Sequence, residues 1–255
     1  EFETFLKAPA DARYNGRASE ARALRKQARR TEREHYRQSF DVRAFWGARD
    51  LVRCPLTFGL IGASTLVTAL LLSHPFGEQV EKWLLIASYQ NVPLSVVASD
   101  TPPFGAVVGN EFLQSDLPAD LMRGQVWRLV TPIFLHFSLL HLLFNMSFLY
   151  QLGGAIEARC KTSTLLVLVV MSAIISNLVQ YLYTGSPLFG GMSGVDLALF
   201  GFVWMKGLYE PELGIGLSPP TIVFMMAYLA VSMTGRLGPI AHGAHLAGLS
   251  IGILA

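Results

Sequence analysis

The chain has 255 residues, 52% hydrophobic and 15% charged, with a formal net charge of +2. Soluble domains carry about 25% charged residues, so this composition argues against a water-soluble globule and for membrane spans. Two cysteines, Cys54 and Cys160, are too few for a disulfide framework.

Charge is unevenly placed. Of 20 Lys and Arg, 13 lie in residues 1–53 and 7 in the rest, while the acids divide as 8 and 10. A basic, polar segment (residues 1–53) therefore precedes an apolar body (residues 54–255). The first residue is not Met, and Ala255 falls inside an apolar helical pattern, so the sequence is expected to be a fragment. Within the polar segment, Glu1 to Gly16 gathers Phe2, Phe5, Leu6 and Tyr14 around Pro9, as the last piece of a small soluble domain would. Ala18 to Arg37 is rich in Ala, Arg and Glu and predicts a solvated basic helix near acidic lipid headgroups. Aromatic residues are sparse there, so nucleic acid is not expected as a partner.

Six apolar segments follow: Leu56–Leu72, Phe137–Ala155, Thr164–Tyr183, Ser193–Met205, Pro220–Met233 and Ala241–Ala255. A full span needs about 20 residues at 1.5 Å each. The fourth offers 13 before Lys206, so it is expected to begin part-way into the membrane. The basic amino-terminal block, Arg159 with Lys161, and Lys206 assign their loops to the cytosol. The loop from Pro75 to Arg128, with six acids against Lys82, Arg123 and Arg128, then lies outside. Inside it, Trp83–Val97 is apolar but interrupted by Gln90, Asn91 and Pro93, and predicts a segment lying in the interface.

Ionisable and polar residues inside spans are costly and ask for a reason. His141, Asn145, Ser193 and His245 lie in the second, fourth and sixth segments, which run in the same direction, and all sit in the outer halves. Ser193 follows Gly190-Gly191-Met192 at a predicted helix start, where free N–H groups and the positive dipole end are available. A hydroxyl there can attack a carbonyl while adjacent donors receive the oxyanion. The same glycines also suit plain small-residue helix packing. Gly248 and Gly252, one and two turns after His245, form a small-residue face. If it meets Gly194 and Gly201 of the fourth segment, imidazole is brought to hydroxyl. His141 and Asn145, four apart, share one helix face and can both donate. His136 stands nearer the helix mouth. A metal held by His136, His141 and His245 is a rival reading, but no H-E-x-x-H pattern or cysteine cluster supports it.

Taken in order, Trp127-Arg128, His136-Phe137-Ser138-Leu139-Leu140-His141 through Asn145, Gly153-Gly154-Ala155-Ile156-Glu157, Gly190-Gly191-Met192-Ser193-Gly194 and Gly243-Ala244-His245-Leu246-Ala247-Gly248 resemble the rhomboid intramembrane serine proteases, most nearly their bacterial GlpG type. The resemblance covers about residues 50–255. It implies an all-α polytopic membrane protein, a six-transmembrane-helix bundle behind a short helical cytosolic segment. It implies proteolysis by a dyad, with Ser193 as nucleophile and His245 as general base and then acid. His141, Asn145 and the Ser193 N–H would hold the oxyanion, and Trp127 and Arg128 would be structural. No metal and no cofactor are expected. The implied partners are transmembrane protein substrates with a small residue before the cut, in a bilayer that by resemblance is a bacterial inner membrane. The active site would open to the periplasmic side, with Leu237-Gly238-Pro239-Ile240 capping it. A catalytically dead relative that escorts membrane helices, and a channel with a His and Asn solute path, are the alternatives. One departure stands out: where the GlpG type carries a Tyr that stacks on the histidine, this chain has Leu197. Asp196, one turn from Ser193, either faces a wet cavity or another helix, or pairs with a neighbouring polar group and compensates in part.

Overall fold

The computed structural model describes residues 20–27, 53–73, 75–93, 105–108, 111–234 and 241–255. The chain divides into two compact units, Glu1–Asp41 and Val42–Ala255. In the first, residues 20–27 form an exposed helix (α1), as their Ala, Leu, Arg, Lys and Glu content favours. The expected Glu1–Gly16 remnant and the rest of the basic helix lie outside the described residues.

The second unit is mostly helical. Helix α2 (Pro55–Leu71) starts with Pro at its first turn, where a missing N–H costs nothing. It has no side-chain cap of its own. The N–H groups of Leu56 and Thr57 donate instead to the carboxylate of Glu157, at 2.9 and 2.8 Å, and the Thr57 and Thr162 hydroxyls donate to it as well. A negative group thus sits at the positive ends of two helices. The buried face of α2 carries Thr57, Ser64 and Thr68, while Leu66, Leu70 and Leu72 face outward.

Next come α3 (Gly77–Leu84), a buried turn Leu85-Ile86-Ala87, and a three-stranded antiparallel sheet. Strand β1 (Tyr89–Pro93) pairs with β3 (Glu111–Ser115) in the register Tyr89↔Ser115, and β3 pairs with β2 (Gly105–Val108). This corrects two expectations. The fold is not purely α, and the apolar run from Trp83 is no continuous interfacial segment: it breaks into helix, turn and strand. The reason is pairing. An extended backbone around Gln90 and Asn91 needs partners for its N–H and C=O groups, and β3 supplies them. Residues 94–97 of that run lie outside the described residues.

Helix α4 (Leu117–Met122) is capped by Asp116, which accepts the Ala119 N–H at 3.0 Å. The chain then descends through two 3₁₀ turns, Val126–Leu129 and Thr131–Phe134, into α5 (Leu139–Cys160). A π turn, Leu149–Gly153, interrupts α5. Helix α6 (Thr162–Thr184) ends in Gly185, whose φ of 67° closes the helix in the left-handed conformation. Helix α7 (Ser193–Tyr209) is buried on all sides from Gly194 to Val203. It runs past the expected end at Met205, because Lys206 lies over the Phe202 ring and bonds Glu210 at 2.8 Å. Helices α8 (Pro219–Ser232) and α9 (His242–Leu254) complete the unit.

All six apolar segments of the sequence fall on helices. Of these, α5 and α6 are long and apolar enough to cross a bilayer, while α2, α8 and α9 are shorter apolar helices. Beside an apolar core, the helices bury many polar side chains and turn large apolar ones outward. Asn145, Glu157, Ser172, Ser176, Asn177, Gln180, Asp196 and His245 are buried. Leu139, Leu140, Leu143, Phe144, Val167, Leu182, Val223 and Phe224 are exposed. Apolar surface of this extent suits lipid.

Candidate active site

The site is assembled by the close approach of α7 and α9. A methyl placed on Gly248 would fall on the carbonyl oxygen of Gly194, and one on Gly252 would fall on that of Ala198. Gly201 meets the Leu249 carbonyl in the same way, at 2.9 Å from its would-be Cβ. Backbones touch only where Cβ atoms are missing, and these small positions are spaced by four or seven residues, so the whole helix faces engage. The amino-terminal end of α9 is pinned separately. The Ala244 N–H donates to Oε1 of Gln180 on α6 at 3.2 Å, and Gly243 leaves room for that side chain.

This packing places Nε2 of His245 2.7 Å from Oγ of Ser193. His245 is buried, and its Nδ1 has no hydrogen-bond partner among the described residues. Among the described residues no carboxylate bonds the ring from behind. Ser193 opens α7, where its own N–H and those of the next residues have no carbonyl four residues back.

The loop before Ser193 is held by two hydrogen bonds. The Gly191 N–H donates to the Pro132 carbonyl at 3.0 Å, and Gly191 adopts φ +119°, which side chains disfavour. The Met192 N–H donates to Nε2 of His136 at 3.4 Å. His136 Nδ1 lies 3.1 Å from the Phe134 carbonyl, so the ring donates there and accepts from Met192. Burial, and next the neighbouring His141, push the His136 pKa down to about 4, against a smaller rise from the Phe134 carbonyl. It is therefore a neutral acceptor at pH 7. His136 thus braces the serine loop.

His141 and Asn145 extend from the first two turns of α5. Ser138 caps that helix by accepting the His141 N–H at 3.2 Å. A Cβ on Gly191 would sit 2.7 Å from Nε2 of His141 and 3.4 Å from Nδ2 of Asn145. The glycine therefore lets both side chains come up to the serine loop. Nδ2 of Asn145 is buried and has no partner among the described residues, which leaves a donor ready for a ligand oxygen.

Ser193, His245, His141 and Asn145 line one cavity of about 410 Å³. Phe144, Phe148, Asp196, Leu197, Met225 and Tyr228 line it too. The sequence reading missed Tyr228 and Met225 of α8 and the Gln180 tether. A polar tip on an otherwise apolar helix was the available signal for Tyr228, and an amide inside a span for Gln180. Asp196 reaches the cavity but does not pair: neither carboxylate oxygen has a hydrogen-bond partner among the described residues. The expected pairing is thus not made: Tyr228 lines the same cavity, but no donor among the described residues bonds either oxygen. Leu197 occupies the wall where an aromatic ring was missed.

Trp127 and Arg128 stand apart from this cavity. Arg128 is buried; its guanidinium donates to the carbonyls of Lys82 (2.9 Å) and Leu85 (2.8 Å) and to Gln125 (2.6 Å), with Asp120 3.8 Å away. Asp120 in turn accepts from the Ser88 N–H and hydroxyl. Trp127 stacks on Trp83 and donates to its carbonyl at 3.2 Å. Together they tie α3 and its following turn to the entry of α5. The stretch Leu237–Ile240, expected to cap the cavity, lies outside the described residues.

The rhomboid domain family model matches residues 123–255. Among curated proteins, the chain is similar to the rhomboid protease GlpG of Salmonella paratyphi A, with 43% identity over 134 residues, 52% of this chain and 48% of the relative. It is also similar to that of Salmonella newport, with 42% identity over the same shares. The chain spans about half the length of the curated relatives it matches.

Proposed function

The chain belongs to the rhomboid family, and from that premise we propose that it is an intramembrane serine endopeptidase working by a Ser193–His245 dyad. Membership makes it an integral membrane protein. The 2.7 Å contact between Oγ of Ser193 and Nε2 of His245, inside a cavity that also holds an amide donor with no partner among the described residues, is the observation that carries the reading.

In this reading Oγ attacks the carbonyl carbon of a peptide bond while its proton passes to Nε2 of His245. The carbonyl oxygen, now an anion, turns toward the Ser193 N–H, the Asn145 amide and the His141 ring. The imidazolium then protonates the departing amine, and the peptide C–N bond breaks. Water attacks the acyl-serine, gives its proton to His245, and releases the new carboxylic acid with Oγ protonated again. Gly191 and Gly194 hold the serine loop and helix start, Gly248 and Gly252 hold the imidazole in reach, and His136 braces the loop.

The substrate is a transmembrane segment whose outer end unwinds into the cavity, since helix bonding otherwise shields its carbonyls. Six helices span: α2, α5, α6, α7, α8 and α9, with α7 starting below the surface. Residues 54–255 form this membrane domain and residues 1–53 a cytosolic segment. The basic residues of that segment favour a cytosolic amino terminus, so the cavity opens to the periplasmic side of a bacterial inner membrane.

The test is incubation of the full chain in liposomes with a single-span substrate, together with labelling by a fluorophosphonate. Cleavage and labelling are expected for the native protein and absent in Ser193→Ala and His245→Ala. Cleavage that persists in Ser193→Ala would refute the dyad.

A further inference from the structure

His245 works as a base in only one of its two neutral forms. Nε2 must be bare to take the Ser193 proton, so the ring hydrogen has to sit on Nδ1. The 2.7 Å contact alone does not choose that form, since an Nε2–H can equally donate to Oγ. The choice falls to whatever meets Nδ1. Many serine hydrolases set a carboxylate there, but here Nδ1 of His245 is buried without a hydrogen-bond partner among the described residues. A second buried nitrogen in the same state lies one turn away, Nδ1 of His242. One of the two needs an acceptor and the other is able to be one, and a packed interior seldom leaves such atoms bare. Both residues stand at the start of α9. Three apart, they share a helix face, with Cβ atoms about 5–6 Å from each other. A helical side chain leans back over the turn before its own, which carries the His245 ring toward His242. Ala241 and His245 line the reaction cavity and His242 does not, so its nitrogen stands behind the dyad and not before the substrate. Among titratable groups, His242 acts more strongly on the charge of His245 than His141 does.

We propose that His242 is a positioning residue: turning about its Cβ–Cγ bond, it accepts the Nδ1 hydrogen of His245 on its own Nδ1 and so holds the imidazole in the form whose Nε2 is free. This rests on the protease reading above. The two nitrogens are not bonded to each other in the resting structure, and the bond forms as His245 takes the serine proton and its Nδ1–H becomes a stronger donor. The lone pair of His242 then faces the imidazolium. Leu197 cannot do this work, because an aliphatic wall selects no tautomer. A protonated His242 has no lone pair at Nδ1 and repels a charged His245, so reactivity is lost when either ring takes a proton. The other titratable groups around the dyad are His141 on α5, Asp196 on α7 and Tyr228 on α8, all in the cavity wall. From α6, Tyr183 packs beside Gly243. None of these differs between the variants compared below.

The experiment uses the full chain in liposomes, as native protein, His242→Leu and His242→Asn. Oδ1 of an asparagine stands two bonds from Cβ, as Nδ1 does, and accepts whatever the pH; leucine accepts nothing. Cleavage of a single-span substrate with Ala before the cut gives kcat and KM. The rate of labelling by a fluorophosphonate gives the reactivity of Ser193 between about pH 4 and 9, the range in which histidines change charge. His242→Leu is expected to lower kcat at least about tenfold with KM unchanged, and His242→Asn to recover most of that loss. On the acid side, labelling of the native protein is expected to fall with the uptake of two protons, and that of His242→Asn with one. Should thermal denaturation show His242→Leu unfolded, the acid limbs of native protein and His242→Asn decide. Native kcat in His242→Leu, equal impairment of the Leu and Asn variants, or identical acid limbs overturns the proposal. A native protein that neither cuts nor labels instead overturns the protease reading.

Discussion

Gly248→Ala probes the helix contact on which the dyad depends. The added methyl would fall on the Gly194 carbonyl oxygen, far inside the 3.0 Å that real Cβ atoms keep from other heavy atoms. Both partners are backbone inside helices, so no side chain can turn aside. The helices must part by more than about 1 Å, or α9 must slide. Overpacking of this kind costs about 1–3 kcal/mol. The geometric effect is larger. His245 lies one turn before Gly248, so a shift of about 1 Å lengthens the 2.7 Å contact with Ser193 beyond hydrogen-bond range. A misplacement of that size costs on the order of 100-fold in turnover. Cleavage of a single-span substrate in liposomes reads the rate, and thermal denaturation in detergent reads the stability. Gly59→Ala and Gly62→Ala on α2, where a Cβ would meet nothing within 4 Å, are the controls and should change neither. Full activity and native thermal stability in Gly248→Ala would refute the argument that close backbone approach sets the dyad distance.

Asn145→Ala should lower kcat by about 10²–10³ with little change in KM, since its buried amide nitrogen has no partner to lose among the described residues; steady-state kinetics check this. His136 gives a pH signature. Its pKa in the fold, about 4, lies below the unfolded value of 6.5. The unfolded state therefore binds more protons, and stability should be complete above about pH 6.5 and fall as the pH drops toward 4. Denaturation midpoints across that range should flatten in His136→Phe, at the expense of the Met192 hydrogen bond. Arg128→Ala should cost about 1–3 kcal/mol for each of the carbonyls it leaves without its donor, those of Lys82 and Leu85. Arg128→Lys should recover only part, as an ammonium cannot reproduce the planar fork, and the fraction that stays folded should still label at Ser193.

Much of the candidate site could be read from the sequence because it is written in local rules. Glycines four apart announce close helix packing, and a serine after Gly190-Gly191-Met192 announces a turn into a helix. His141 and Asn145 share a face by spacing alone. What escaped the reading depends on contacts distant in the chain. Strand β1 is defined by β3, twenty-odd residues later, and an apolar stretch with two amides gives no hint of that pairing. Glu157 caps a helix that begins about a hundred residues earlier. Arg128 is satisfied mostly by backbone carbonyls, which every residue has and no sequence marks. For Asp196 the sequence left two places open, a wet cavity or another helix on one hand and a polar partner on the other, and it lines the cavity. Which neighbours it would have depended on how α7 and α8 pack, and that packing is not written in either segment alone.

The π turn at Leu149–Gly153 has a consequence for the whole of α5. One residue more than an α turn needs is accommodated there, so the helix beyond it is rotated by about 100° relative to an uninterrupted one. The helix therefore behaves as two separately phased halves. The upper half points His141 and Asn145 at the serine loop, and the lower half points Glu157 at the start of α2. Removing a single residue from the turn would restore an even spiral and swing one of these groups out toward lipid. The irregularity works as a phase adjuster that allows one rod to answer to two unrelated angular demands.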